Sequence, residues 1–441
     1  MTAEAARRLL LGLAVALALA DGSIVTLALP DILGQFDIEI PTVAWVLTSY
    51  NLVLALAAVP AALLARRRAR LVGGIGIVVF ALASLACAVA PEFGVLLASR
   101  CVQALGAAAL VTAALELLAA QEPSDEAAVR TWVRAGILGA ALGPALGGVV
   151  TQVLGWEWIF ALQVPAALVS LGALRSVSER RAPAPSRERP DILMNAALVL
   201  ISAALAAALF LLVLLLVNGW RLEPAAAGIV VTVMPLAAIL AAPLARRIEG
   251  LLIRAAAGAI LISGGLAALG LLPHAGWLWT VPPQVLIGVG LGLTLSALTE
   301  RALRGRASQV LHGGWTIASR HAGVVLGLLL LTPLFTAALD RNQDEALAAG
   351  TAAVLDSGIP PLDKLRVAQD VLTEVERAEG RMPDVAPAFE GHDEPAYRSL
   401  QAALVDQLDR AATNAFSSSF LLGAALALAA LVPVALAVVR R

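Results

Sequence analysis

Two ionisable groups of opposite sign, Asp21 and Arg100, stand inside stretches that are otherwise apolar. A charge in hydrocarbon is costly, so each such group is a functional hypothesis by default. An acid beside a guanidinium stays ionised, and one parted from it in an apolar cavity takes up a proton. Asp21 and Arg100 could therefore load and unload a proton as their distance changes, or form a static ion pair that fixes packing. Other polar residues share the apolar company. Asn51, Gln103, Gln163, Asn195 and Gln284 would line a cavity or bond neighbouring helices,. Trp45 and Trp315 would be cavity walls or interfacial anchors,. Glu116 with Arg134, and Arg320 with His321, stand near expected helix ends as a gate or as interfacial charges. Gly139, Gly143, Pro144, Gly147 and Gly148 spell G-x-x-x-G-P-x-x-G-G. Glycines four apart make a flat face for a neighbouring backbone, and the proline removes a donor and bends its helix.

Other chemistries find no support. His274, His312, His321 and His392 share no metal-ligand spacing,. Cys87 and Cys101 both lie in apolar runs, as structural thiols do,. No nucleophile–base or metal constellation stands in the loops, so an enzyme is not expected, and neither is a cofactor. No G-x-x-x-x-G-K-[ST] loop offers ATP a site. A net charge of −1 creates no field for nucleic acid,.

These residues need elements to hold them. The chain has 441 residues, 60% hydrophobic and 14% charged, more apolar side chain than a soluble domain can hide,. A bilayer core takes about 20 apolar residues per helix. Twelve spans fit, at 8–29, 42–65, 71–90, 94–118, 131–153, 157–175, 192–217, 225–245, 251–272, 277–298, 315–337 and 415–438. The loops on one side and the two termini carry 21 of the 31 basic residues; the five short loops opposite carry one, Arg221. By the positive-inside rule both termini are cytoplasmic. Residues 1–20 could pass for a signal peptide ending Ala18-Leu19-Ala20, but the apolar run resumes through Pro30 and reads better as a first span,. Asp21 and Arg100 then lie ~12 and ~9 Å below the outer boundary at 1.5 Å per residue. Antiparallel helices would thus bring acid and base to one level, facing each other across a water-accessible cleft.

A charged, Pro-rich segment at 176–190 reads as a cytoplasmic linker between halves 1–175 and 191–441,. VPAALLARRRARLVGGIG and AAPLARRIEGLLIRAAAG form a weak internal echo of one half in the other, a transporter device with its site at mid-membrane,. Residues 338–412 differ, with 15 acids against seven bases. Leu362, Leu365, Leu372 and Val375 give one helical stripe, and Tyr397, Leu400, Leu404 and Leu408 another,. Two amphipathic helices forming an extracytoplasmic cap are expected there.

At these motifs the chain resembles the drug:proton antiporters of the major facilitator superfamily. The glycine–proline pattern is similar to that family's antiporter motif and continues through Trp156-Glu157-Trp158-Ile159-Phe160 to Pro165. Asp21 to Pro30 (DGSIVTLALP), Trp45 to Leu52 (WVLTSYNL) and Arg100 to Gly106 (RCVQALG) resemble its helix 1, 2 and 4 signatures, the last with Ala104 for a glycine. The likeness is strong over 20–165 and thinner afterwards, through Pro235, Gly288, Gly290, Gly292, Arg320, Gly323 and Gly327. The long outer loop before the last helix resembles the usually fourteen-helix branch, here without its central pair. One departure is clear. The family's loop after helix 2 reads roughly G-x-L-x-D-R-x-G-R-R; here Ala65 replaces the acid that helps latch the halves, and Arg68 the second glycine.

The expectation is an all-α polytopic membrane protein with twelve helices in two pseudo-symmetric six-helix halves. It would sit in the inner (plasma) membrane and exchange a hydrophobic or amphipathic small molecule for protons by alternating access. Its expected partners are that substrate, protons and the lipid bilayer, with a periplasmic or extracellular partner at 338–412 as a further expectation. A facilitator or proton symporter for a metabolite, and a non-transporting protein whose acidic cap binds a partner, are the alternatives.

Overall fold

A computed structural model of the chain describes residues 3–176, 188–273, 276–377, 385–392 and 394–439. Most of the linker expected at 176–190 lies outside the described residues, as do His274 and the terminal Arg440 and Arg441. Among the described residues the structure is helical, without strands. The first part holds α1 (Ala3–Thr26), α2 (Leu29–Phe36), α3 (Ile40–Val43), α4 (Trp45–Ala88), α5 (Phe93–Ala119), α6 (Asp125–Leu154), α7 (Glu157–Ala161) and α8 (Gln163–Ser170). The second holds α9 (Ile192–Leu214), α10 (Pro224–Leu240), α11 (Ala242–Arg247), α12 (Leu251–Gly270), α13 (Val281–Leu303), α14 (Gln309–Asp356), α15 (Pro361–Arg377), α16 (Pro395–Ala429) and α17 (Leu431–Val439).

Eleven of the described helical segments are long and apolar enough to cross a membrane, and one of these, Ile40–Ala88, crosses twice. Its helix α4 is interrupted at Arg68, with φ −147° and ψ 59°, inside the Arg66–Arg70 cluster. Neighbouring α5 shows that the chain doubles back there. Arg100 Nε donates to the Val46 carbonyl at 3.2 Å, while a methyl on Gly106 would run into the Phe80 backbone. Val46 and Phe80 would stand about 51 Å apart on one straight helix, whereas positions 100 and 106 are about 9 Å apart. The result is twelve crossings. The turns between them use ordinary devices. Ser124 caps α6 by accepting from Ala127 N at 3.2 Å, and Asp191 caps α9 by accepting from Met194 N at 3.2 Å,. Asp191 also stands 3.6 Å from Arg301 and 3.8 Å from Arg306, tying the start of the second half to the α13–α14 turn.

The outer insertion departs from its sequence reading in two ways. The eleventh and twelfth spans were expected to end at 337 and begin at 415, yet α14 runs unbroken to Asp356 and α16 starts at Pro395. Hydropathy marks where lipid ends, whereas Ala-rich residues such as ALAAGTAAVLD keep a helix going past that point,. The expected second cap helix is thus the extension of a spanning one. The insertion has its own small core of Val354, Ile359, Val367, Val385, Phe389, Tyr397, Leu400 and Leu404, with Leu408 partly buried against it. Tyr397 OH donates to Asp363 at 2.8 Å, and its ring stacks on His392 at 4.4 Å. The stripe expected to face inward on α15 does not. Leu362, Leu365 and Leu372 are exposed, and the ridge of Val367, Ala368 and Val371, roughly 140° around the axis, makes the contacts instead,. The side chain of Val375 lies outside the described residues.

The two halves meet along two seams. On one, α4 packs against α14, with Gly314 against Ala58 and Ala62. On the other, α6 packs against α10 at the end away from the arginine-rich loops, with Gly148 against Pro224 and Gly228 against the Pro144 carbonyl. Those glycines are required: a Cβ at any of them would overlap the facing helix.

Candidate functional site

Asp21 on α1 and Arg100 on α5 are both fully buried and in direct contact, 2.6 Å from Oδ2 to Nη1. Two glutamines close a ring around them. Arg100 Nη1 donates to Gln103 Oε1 at 2.6 Å, and Gln103 Nε2 to Gln163 Oε1 at 2.9 Å. Gln163 Nε2 donates back to Asp21 Oδ1 at 3.1 Å. Ser84 accepts a further bond from Gln103 Nε2 at 2.8 Å. Above the guanidinium lie Tyr50, 4.2 Å from ring centroid to Cζ, and Phe160 at 5.5 Å. The ring order follows from helix geometry: Arg100 and Gln103 are three apart on one face of α5, and Gln163 opens α8 on the far side of Asp21. Such a network answers nearly every polar atom, which is what makes an ion pair tolerable in a low dielectric.

The pair does not face a cleft, contrary to the sequence expectation. A central cavity of about 190 Å³ lies next to it, lined by Gly22, Ser23, Tyr50, Asn51, Arg320 and His321 among polar or small groups, and by Leu47, Leu205, Phe210 and Leu328 among apolar ones. Asp21 and Arg100 are not in that lining; Tyr50 is, so its ring touches both the guanidinium and the cavity. Tyr50 OH donates to the Ala18 carbonyl at 3.1 Å, which locks the ring in place. On the opposite wall His321 Nδ1 lies 2.6 Å from Asn51 Oδ1. Asn51 Nδ2 donates to the Leu47 carbonyl at 2.8 Å, so its oxygen is the atom facing the imidazole and Nδ1 is the ring nitrogen that carries hydrogen,. This bond joins the two halves across the cavity.

Other residues singled out from sequence fall elsewhere. Gln103 and Gln163 belong to the ion-pair ring rather than to the cavity wall. Asn195 accepts from Ser319 at 3.0 Å, joining α9 to α14, and Gln284 donates to Thr280 at 3.0 Å near the start of α13. Neither lines the cavity. Trp45 and Trp315 are 45% and 38% exposed, and neither is in the lining of the central cavity. Arg134 lines a second cavity. Arg320 and His321, expected at a helix end, stand on the central cavity because α14 begins at Gln309, not 315. A methyl on Gly139, Gly143 or Gly147 would strike Ala16, Ser23 or Ile24 of α1, while Gly148 faces α10. The motif therefore makes two contacts at once, α6 against the helix carrying Asp21 and α6 against the other half.

Some features went unread. Tyr50 falls within WVLTSYNL, and the signal it offers is a tyrosine beside Asn51 in an apolar run. Ser84 gave none. The second cavity, about 420 Å³, parts α6 from α10, α11 and α13 at the arginine-rich end; Arg130, Arg134, Arg246, Arg254 and Arg304 ring it over walls such as Ile137, Leu138 and Ile239. Ala65, where the resembled family has an acid, is fully buried with Ala62, Ala113 and Val310 of α14.

The profile of the Major Facilitator Superfamily matches residues 11–328. Multidrug resistance protein Stp of Mycobacterium tuberculosis is 38% identical over 176 residues, 38% of this chain and 32% of Stp. Drug efflux pump JefA of the same species is 33% identical over 181 residues, 40% of this chain and 36% of JefA. The methylenomycin A resistance protein of Streptomyces coelicolor is 34% identical over 231 residues, 52% of this chain and 46% of that protein. The matched stretches thus span between about a third and a half of these relatives' lengths. Among solved structures, a bacterial homolog of the human lysosomal transporter Spinster, inward-facing and unoccupied, superposes with a TM-score of 0.65 at 16% identity, covering 98% of this chain and 97% of that one.

Proposed function

Because the chain belongs to the Major Facilitator Superfamily, we propose that it exports hydrophobic or amphipathic small molecules by alternating access, driven by protons moving inward. The observation that carries this reading is the fully buried Asp21–Arg100 pair set directly behind the wall of a cavity between the two halves. Movement of one half against the other can strain the Asn51–His321 bond across the cavity, and with it the helix that holds Tyr50 against Arg100. Parting Asp21 from Arg100 would leave a carboxylate in apolar surroundings, where it takes up a proton. Re-forming the pair would release it. Relatives named for multidrug resistance and drug efflux support the class of cargo and the outward direction. The arginine asymmetry supports an orientation with the termini and the large cavity on the cytoplasmic side of the inner membrane, and the acidic insertion outside,.

The test is flux in inverted vesicles under an imposed pH gradient, with a panel of lipophilic dyes. Wild type accumulates a dye when the gradient is present and loses it when the gradient is collapsed. Asp21→Asn, with unchanged abundance, abolishes gradient-driven uptake but keeps dye binding. Gradient-driven flux at the wild-type rate in Asp21→Asn would sink the coupling assignment.

A further inference from the structure

Arg320 stands 11 residues into α14, about 17 Å along the helix from Gln309 and so deep in the bilayer,. It lines the central cavity and is only half-buried, so its guanidinium meets that space. Arg100, the other arginine at such depth, has a carboxylate at 2.6 Å. Arg320 has neither an ion-pair nor a hydrogen-bond partner among the described residues. The polar side chains that share its cavity direct their printed bonds elsewhere. Asn51 Oδ1 faces His321, Tyr50 OH is committed to Ala18, and the hydroxyls of Ser23 and Thr26 turn back to the carbonyls of Ala20 and Gly22. His321 Nε2 is likewise buried without a partner. An intramembrane cation left unanswered by its own protein is answered by what enters the cavity.

We propose that the central cavity selects cargo with an organic carboxylate on an apolar body, and that Arg320 is its counter-charge. This deepens the transport reading above and rests on it. Leu205, Phe210 and Leu328 receive the apolar body, while the planar guanidinium takes the carboxylate through two parallel N–H donors,. His321 Nε2, whose ring bears its hydrogen on Nδ1, adds an acceptor for a hydroxyl or amide on the same molecule. Formal neutrality of the loaded cavity then permits it to change the side it faces without carrying a bare charge across the hydrocarbon.

Three probes of one shape decide it: 4-phenylbutyrate, its methyl ester and 4-phenylbutylamine, titrated calorimetrically into the purified full chain in nanodiscs. The acid is expected to bind at least tenfold more tightly than the ester or the amine. Arg320→Gln removes that preference and Arg320→Lys keeps part of it. A wild type that ranks the ester or amine equal to or above the acid overturns the proposal, with no variant needed, and so does a preference that survives in a folded Arg320→Gln. Flux of the same probes in proteoliposomes separates this claim from the broader one. Gradient-driven movement of ester and amine, with the acid neither bound nor carried, defeats the carboxylate site and leaves transport standing. Selective binding of the acid with no gradient-driven flux of any probe supports the site and defeats the transport reading.

Discussion

At the level of single residues, the ring of Asp21, Arg100, Gln103 and Gln163 makes its members interdependent. Removing one partner of a buried ion pair leaves the other charge unanswered, at a cost of about 3–5 kcal/mol. Arg100→Leu is therefore expected to lower the melting temperature more than Asp21→Asn, which keeps a polar group for Gln163 and Arg100 to meet. The double variant Asp21→Asn/Arg100→Leu should lose less than the two single losses summed, because no lone charge remains. Gln163→Leu strips Asp21 of one donor and Gln103 of one acceptor, and is expected to cost about 1–3 kcal/mol,. Thermal unfolding of the four variants in detergent measures each; additive losses would argue that the ring is not one network. The acid and the base were legible in the sequence because charge in an apolar run is rare and expensive. The two glutamines were visible as polar groups, but whether such a group faces a cavity or a neighbouring helix depends on rotation about its own helix, which composition does not state. The Asn51–His321 bond spans 270 positions and left no mark in the sequence at all.

Whole elements follow a similar division. Apolar runs located the membrane crossings, and the Arg66–Arg70 cluster located the turn that divides α4. What failed was the face and the end of the outer helices. On α15 two apolar ridges compete, and the one that packs has smaller, branched side chains, Val367 and Val371, which join the core that holds Phe389 and Leu404. This gives a direct contrast. Leu404→Ala removes a buried side chain of the cap and is expected to cost about 2–5 kcal/mol locally, raising amide hydrogen exchange across 354–404,. Leu365→Ser, on the exposed ridge, is expected to change stability by less than about 0.5 kcal/mol and leave exchange as in wild type,. Equal protection loss in both variants would mean that the exposed ridge is packed as well. The helix ends misled for another reason: alanine serves lipid and water equally, so a helix leaving the bilayer has no compositional signal at its exit.

Across the molecule, the glycine motif links the ion pair to the seam between halves. Gly139, Gly143 and Gly147 hold α6 against α1, the helix of Asp21, and Gly148 holds it against Pro224 of α10. That second contact closes the seam at one end, while the cavity of about 420 Å³ parts the same helices at the other. The opposite seam stays shut through Gly314 and through Ala65 against Val310, an apolar closure where the family resemblance would put an acid. A side chain at position 148 should therefore wedge α6 from α10 only at the closed end. Gly148→Leu is expected to open the central cavity toward the side opposite the arginine loops, while Gly22→Leu, whose Cβ meets nothing within 4 Å, leaves the seam as it is. Ser202→Cys reports the difference, since Ser202 lines the central cavity and both native cysteines, Cys87 and Cys101, can be replaced by alanine. A membrane-impermeant maleimide added outside whole cells should label Ser202→Cys little in the parent and at least tenfold faster with Gly148→Leu, with transport lost in parallel. Labelling unchanged by the leucine would show that α6 and α10 do not form the outer closure.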